Sequence, residues 1–288
     1  MPSPSEAAAL PPDLFEQVGR ALLEDIGSGD VSAQLIPADR QAHAHVISRE
    51  AAILCGAPWF DEVFRQLEPR IGIRWHFQEG EHVAANAVLC ELSGPARALL
   101  TGERTALNFL QLLCATATVT QRYVHAIAGT GCRILDTRKT IPGLRTAQKY
   151  AVRCGGGSNH RMGLHDMVLI KENHIAAAGS ISAAVASARQ QASGRRVEVE
   201  TETLEQLREA LDAHADIVLL DNFSIARLRE AVALNAAHAH PAELEASGGL
   251  SLATLREIAE TGVDFISVGA LTKHIAAIDL SMRFDLQG

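Results

Sequence analysis

From residue 132 onward the chain alternates short apolar runs with amphipathic stretches. The runs are CRILD (132–136), DMVLI (166–170), RVEVE (196–200), DIVLL (216–220), AELEA (242–246) and DFISV (264–268), and between them lie segments such as LEQLREALDAH, SIARLREAVAL and LATLREIAETG. Each run has the length of a buried strand, and each separating segment has apolar residues at helical spacing. A strand–helix unit repeated at about 20 to 35 residues implies a parallel sheet, and right-handed crossovers restrict that sheet to a barrel or a doubly wound layer.

The residues at the carboxyl end of each run choose between the two. Thr137-Arg138-Lys139 come after the first run and Lys171 after the second; Glu200 ends the third; Asp221-Asn222 come after the fourth, Ser247-Gly248-Gly249 after the fifth, and Val268-Gly269-Ala270 close the sixth. An open sheet concentrates its ligand groups at one switch point, whereas a barrel draws on all its strand ends. The expectation is therefore an α/β protein with a barrel, and about 160 residues is short for eight units, so the barrel should be an incomplete (β/α) barrel.

Earlier in the chain the pattern differs. DLFEQVGRALLE (13–24) has helical spacing and runs into the turn DIGSGD, whereas residues 42–100 read as short strands, HAHVIS, IRWHFQ and AVLCEL, punctuated by QEGEH, AAN and SGPAR. Residues 103–128 form one long apolar-striped helix linking the two regions. The expected division is an N-terminal α/β domain over 1–115 and a barrel over 116–275, with 276–288 returning to the first domain.

The formal net charge of −8 gives no global attraction for nucleic acid or an anionic membrane, so an anion site must be built locally from clustered cations. No run of about 18 apolar residues occurs, and MPSPSEAAALPPDLFEQ lacks the pattern of a secretory signal, so a cytoplasmic protein is expected. The cysteines at 55, 90, 114, 132 and 154 are odd in number and widely spaced, which argues for reduced, mostly buried thiols. Only four lysines occur, at 139, 149, 171 and 273, and two of them stand just past strands.

SGG after one strand and VGA at the next match the phosphate site of barrel enzymes, where glycine lets backbone N–H groups approach an anion. GGGSNHR brings His160 and Arg161 to the same end as Arg138, Lys139 and Lys171, five cations on consecutive strand-end loops. A set mixing arginine forks with lysine charges suits a ligand with several anionic groups. Glu200 and Asp221, single carboxylates at adjacent strand ends, have the chemistry of Mg²⁺ ligands completed by water and substrate phosphate; the competing reading is a salt bridge to the same cations. Asp136 is expected to orient Arg138 or Lys139.

The stretch LDTRKTIPGLRTAQKYAVRCGGGSNHRMGLHDMVLIKENHI, with VEVETET, VLLDN, EASGG and ISVGALTK, resembles the quinolinate phosphoribosyltransferases, the nicotinate-nucleotide pyrophosphorylase family of NAD biosynthesis. LLEDIGSGD and GERTALNFLQLL extend the resemblance over nearly the whole chain. It implies an N-terminal α/β sandwich-like domain before an incomplete barrel, and a homodimer whose sites are shared through Arg104. It further implies that quinolinate and phosphoribosyl pyrophosphate, with Mg²⁺, give nicotinate mononucleotide, pyrophosphate and carbon dioxide. By the same resemblance Arg104 of the neighbour, Arg138, His160 and Arg161 hold the quinolinate carboxylates, Thr137, Asn222 and Val268 bind substrate, and Lys139 and Lys171 face the negative charge of the substrates. Ser247, Gly248, Gly249, Gly269 and Ala270 bind phosphate, and Glu200 and Asp221 address ribose and magnesium.

Three other readings use the same residues. A molybdenum-linked paralogue group shares much of this motif text with a different anionic substrate, although the full cation set, Arg138 with His160 and Arg161, favours quinolinate. A Schiff-base aldolase or decarboxylase would use Lys171 as its nucleophile. A non-catalytic phosphate-ligand sensor would leave Glu200 and Asp221 without a chemical reason to stand at strand ends.

Overall fold

A computed structural model describes residues 9–285 of the chain. Its elements begin with α1 (Leu14–Ile26), β1 (Gln41–Ser48), β2 (Ala52–Ile53), α2 (Ala57–Leu67), β3 (Gly72–Trp75), β4 (His82–Val83), β5 (Val88–Pro95) and α3 (Ala96–Ala126). They continue with β6 (Arg133–Leu135), α4 (Arg145–Cys154), β7 (Val168–Ile170), α5 (Glu172–Ala178), α6 (Ile181–Gln191), β8 (Val197–Thr201) and α7 (Leu204–Asp212). The last are β9 (Ile217–Asp221), α8 (Ile225–Ala237), β10 (Glu243–Ser247), α9 (Leu255–Ala259), β11 (Phe265–Ser267), α10 (Ala270–Lys273) and β12 (Leu280–Asp285). They form two compact units, one made of residues up to Gln121, Thr140–Gly156 and from Ala270, the other of Arg122–Lys139 and Gly157–Gly269.

The first unit holds an antiparallel sheet in the order β12-β1-β5-β3. QAHAHVIS alternates because one face of β1 is buried, Ala42, Ala44 and Val46 turning inward. β12 pairs with β1 from Ser48–Leu280 to His43–Asp285, so the segment after residue 276 does run back to this sheet; its residues 286–288, like residues 1–8, lie outside the described chain. Helix α2 was not expected from the sequence, although Trp59, Phe60, Val63 and Phe64 recur at helical spacing and are buried. Its first turn is capped by Glu79, which accepts the N–H groups of Gly56 and Ala57, each at 2.9 Å. SGPAR is no turn either: β5 runs through Pro95 directly into α3.

Residues 140–156, expected within the barrel, pack in this first unit. Ala147, Tyr150 and Ala151 of α4 belong to the same apolar cluster as Trp59 and Leu110, and the Tyr150 and Trp59 rings lie 5.2 Å apart. At Gly155 a Cβ would collide with the Ala117 carbonyl, so the absence of a side chain lets the end of α4 seat against α3.

In the second unit six parallel strands run in the order β6-β11-β10-β9-β8-β7, the six that the apolar runs mark. No ladder joins β6 to β7 among the described residues; Leu135 is bridged instead to Ser158, and the barrel is incomplete. One face of the sheet is apolar and buried, with Ile134, Ile170, Val197, Val199, Val218, Leu220, Leu244, Ala246 and Ile266, and α6 and α7 cover its β7–β9 part. Three of the covering helices start at hydroxyl caps: Ser180, Thr203 and Ser224 accept the N–H groups of Ala183, Gln206 and Arg227. The other face carries the alternate residues, many of them charged. Among the described residues no helix is long and apolar enough to cross a membrane.

Candidate active site

Charges on that second face are layered along the strands. Near the amino ends Glu243 lies between Arg196, to which it is ion-paired, and Arg133 at 3.6 Å. One step up, Glu198 of β8 and Glu245 of β10 are fully buried and flank His160, whose Nε2 is 3.0 Å from Glu198 Oε2 and 3.5 Å from Glu245 Oε2. At the carboxyl ends stand Lys171, Glu200, Asp221 and Ser247.

The strand registers bring these end residues together. Ile170 pairs with Val199, placing Lys171 beside Glu200, and the two form an ion pair. The salt bridge that the sequence offers as the alternative for Glu200 is thus formed. Ser247 pairs with Asp221, and the next residue, Asn222, takes a left-handed backbone (φ 57°) while its N–H donates to the Ser247 carbonyl at 2.9 Å. The Asn222 amide also donates to Asp221 Oδ2 at 2.7 Å. Gly248 has φ 92°, and a Cβ there would fall on the Asn222 side-chain oxygen, so only glycine fits this turn.

On the other side of the sheet, the stem of Lys139 and the hydroxyl of Thr137 pack over Gly269, and Thr137 Oγ1 accepts the Lys139 N–H at 3.1 Å. Arg161 and Arg138 are electrostatic neighbours: burial and the Arg138 guanidinium push Arg161 below the usual arginine range, with Glu198 and Asp166 opposing. Two guanidiniums that feel one another in a partly desolvated place have the chemistry to take anionic groups.

Asp136 holds the glycine loop. Fully buried, it accepts the His160 N–H at 2.9 Å and the Asn159 amide at 2.5 Å, pinning the glycine loop to the end of β6. Asp166 accepts the N–H groups of Met162 and Gly163 at 2.6 and 3.0 Å. Glu198, Glu245 and Asp166 escaped the sequence reading of the site. The signal was there for the glutamates: carboxylates at alternate positions of otherwise apolar parallel strands, VEVE and ELEA, face the barrel interior.

Two models of known families match the chain, the quinolinate phosphoribosyl transferase N-terminal domain over residues 30–114 and the C-terminal domain over 116–283. The chain belongs to the quinolinate phosphoribosyl transferase family. Its relatives include the probable nicotinate-nucleotide pyrophosphorylase [carboxylating] of Bacillus subtilis, 44% identical over 92% of this chain and 91% of that protein. Another, from Synechocystis, is 41% identical over 98% and 96%. The solved nicotinate-nucleotide pyrophosphorylase of Francisella tularensis superposes with a TM-score of 0.92 at 48% identity, covering 98% of this chain and all of that one.

The quinolinate phosphoribosyl transferase assignment covers both units, and two of the expected site residues lie in the first. Arg104 is exposed on α3, and Ala270 opens the short helix α10 directly after Gly269. The other expected site residues, including Val268, all lie in the parallel-sheet unit.

Proposed function

We propose that this protein transfers the phosphoribosyl group of phosphoribosyl pyrophosphate to quinolinate with decarboxylation, giving nicotinate mononucleotide, pyrophosphate and carbon dioxide, as a cytoplasmic enzyme of NAD biosynthesis. One observation carries the reading. In a member of this family, Arg138, Arg161, Lys139 and Lys171 stand with Glu200, Asp221 and the Ser247–Gly249 turn at the carboxyl ends of one parallel sheet. Quinolinate has two adjacent carboxylates and the other substrate has phosphates at both ends, and such a pair of ligands needs this many cations.

In this reading Arg138 and Arg161, with Arg104 of a second copy, hold the quinolinate carboxylates and aim its ring nitrogen at the ribosyl carbon. Lys139 and Lys171 stabilise the negative charge that builds as pyrophosphate leaves. Ser247, Gly248, Gly249, Val268, Gly269 and Ala270 offer backbone donors to phosphate, and Asn222 with Thr137 completes the rim. Once the ring nitrogen bears positive charge it stabilises the electron pair left on the adjacent ring carbon as the carboxyl group there departs as carbon dioxide, and that carbon then takes up a proton from water.

Glu200 and Asp221 supply oxygen donors on adjacent strands, and their hard, anionic character fits Mg²⁺ held jointly with substrate phosphates and water. When bound, the ion supplies positive charge to the pyrophosphate oxygens. The test is incubation of the protein with quinolinate, phosphoribosyl pyrophosphate and Mg²⁺, with carbon dioxide and nicotinate mononucleotide both measured. Absence of both products, or release of pyrophosphate with another acceptor only, overturns the reading.

A further inference from the structure

We propose that Gln148 of α4 is a positioning residue for the phosphoribosyl pyrophosphate half of the reaction, its one buried amide clamping the turn that follows Lys139 to the short helix that Ala270 opens. The inference rests on the quinolinate reading above, in which Lys139 and Ala270 both meet phosphate charge.

The turn needs an outside partner. After Lys139 the chain enters α4 through Ile141-Pro142-Gly143-Leu144: proline presets the second position, Gly143 takes φ 79°, and the Leu144 N–H donates to the Ile141 carbonyl at 3.1 Å. Such a turn uses the carbonyl of its first residue and leaves that residue's own N–H to find a partner elsewhere. The Ile141 N–H finds it in Gln148 Oε1, at 2.8 Å. Gln148 can reach back because it stands one helical turn into α4, its own N–H donating to the Leu144 carbonyl at 2.9 Å.

The other end of the same amide holds α10. Gln148 Nε2 donates to the Thr272 carbonyl at 2.8 Å, and Gln148 and Thr272 are both fully buried. Because one partner is an N–H and the other a carbonyl, the amide has a single satisfied orientation. Four residues are too few for α10 to be held by helical bonds of its own, so an external bond to its backbone fixes where it lies. A planar amide bonded at both ends also sets the spacing between the two backbone groups it joins.

Those groups lie close in sequence to the residues that face phosphate. Ile141 comes two residues after Lys139, and Thr272 two residues after Ala270. The stem of Lys139 packs over Gly269, the residue before Ala270, so the same two segments meet once at Lys139 and again at Gln148. An apolar side chain of equal size would fill the space at position 148 and hold neither segment.

In the full-length protein, Gln148→Met keeps about the same volume and removes both bonds. It should raise the KM for phosphoribosyl pyrophosphate about tenfold and weaken binding of pyrophosphate with Mg²⁺ to a similar degree, with the KM for quinolinate changed less than about twofold. Gln148→Glu, in the acid form that burial favours, accepts from Ile141 and donates to Thr272, and should return to within about threefold of the parent. A lowered melting temperature with both KM values unchanged would make Gln148 a stabilising core residue only and overturn the proposal, as would equal rises in the two KM values.

Should the methionine variant fail to fold, the parent protein decides the matter. Hydrogen exchange at the Ile141 amide should be slow, and slower again when pyrophosphate and Mg²⁺ are added but not when quinolinate is added alone. Rapid exchange, or exchange indifferent to pyrophosphate, overturns the clamp. A parent that makes no nicotinate mononucleotide defeats the proposed function by itself, and pyrophosphate binding that is equal in the parent and in Gln148→Met defeats the clamp by itself.

Discussion

Lys171 and Glu200 stand side by side at the carboxyl ends of adjacent parallel strands and form an ion pair. The pairing gives the ammonium a carboxylate partner, which suits a group that meets phosphate or carboxylate and not one that attacks a carbonyl. Lys171→Ala should lower kcat/KM about 100-fold or more, by loss of a charge-assisted contact at the transition state. Borohydride added during turnover should leave no adduct on Lys171. A trapped adduct would restore the Schiff-base mechanism.

At Gly248 the left-handed backbone and the Asn222 side chain leave no room for a Cβ. Gly248→Ala should cost about 1 to 3 kcal/mol of stability. It should also raise the KM for phosphoribosyl pyrophosphate more than that for quinolinate, because the turn it distorts is the proposed phosphate cradle. Thermal unfolding and the two KM values check this together, and a larger effect on quinolinate would move the phosphate site elsewhere.

The strands of the sheet were legible because each is a short apolar run bounded by helical text, and Arg138, Lys139, Lys171, Asp221 and Ser247 were legible as strand-end residues because they stand directly after those runs in sequence. Both signals are local. Helix α2 was missed although Trp59, Phe60, Val63 and Phe64 are correctly spaced, since the surrounding strand grammar of residues 42–100 outweighed a single helical stretch. The membership of α4 in the first unit could not be read, because it depends on which apolar surface Tyr150 and Ala151 meet and on Gly155 passing close to Ala117, contacts far apart in sequence. Glu198 and Glu245 were overlooked for a similar reason: a carboxylate within a strand reads as solvated until the fold shows it buried beside His160.

Glu245 gives the protein an acid-favouring contribution to stability. Its carboxyl is raised from 4.5 to about 8 by burial first and by Glu198 second, so the native chain holds this proton more tightly than the unfolded chain. Where the native state binds more protons, stability falls with rising pH: the contribution is complete below the unfolded value and is lost as pH climbs through the folded one. Glu245→Gln keeps the neutral shape at every pH. Its melting temperature should therefore drop less than that of the parent between about pH 6 and about pH 9. Parallel curves for the two proteins would show that Glu245 does not carry this proton.

Arg104 lies exposed on α3 in the first unit, which is where a residue given to a second copy of the chain would stand. If each site joins Lys171 of one copy to Arg104 of the other, the variants Arg104→Ala and Lys171→Ala are each inactive for a different reason. A hybrid of the two then contains one site lacking both residues and one site with both intact. After mixing and re-equilibration about half the dimers are hybrids, so roughly a quarter of the parent activity should return. Recovery should depend on subunit exchange and vanish when the two variants are assayed without it. No recovery after proven exchange would mean that Arg104 acts within its own chain or not at all, and the shared-site reading would then fail while the cationic sheet end remained.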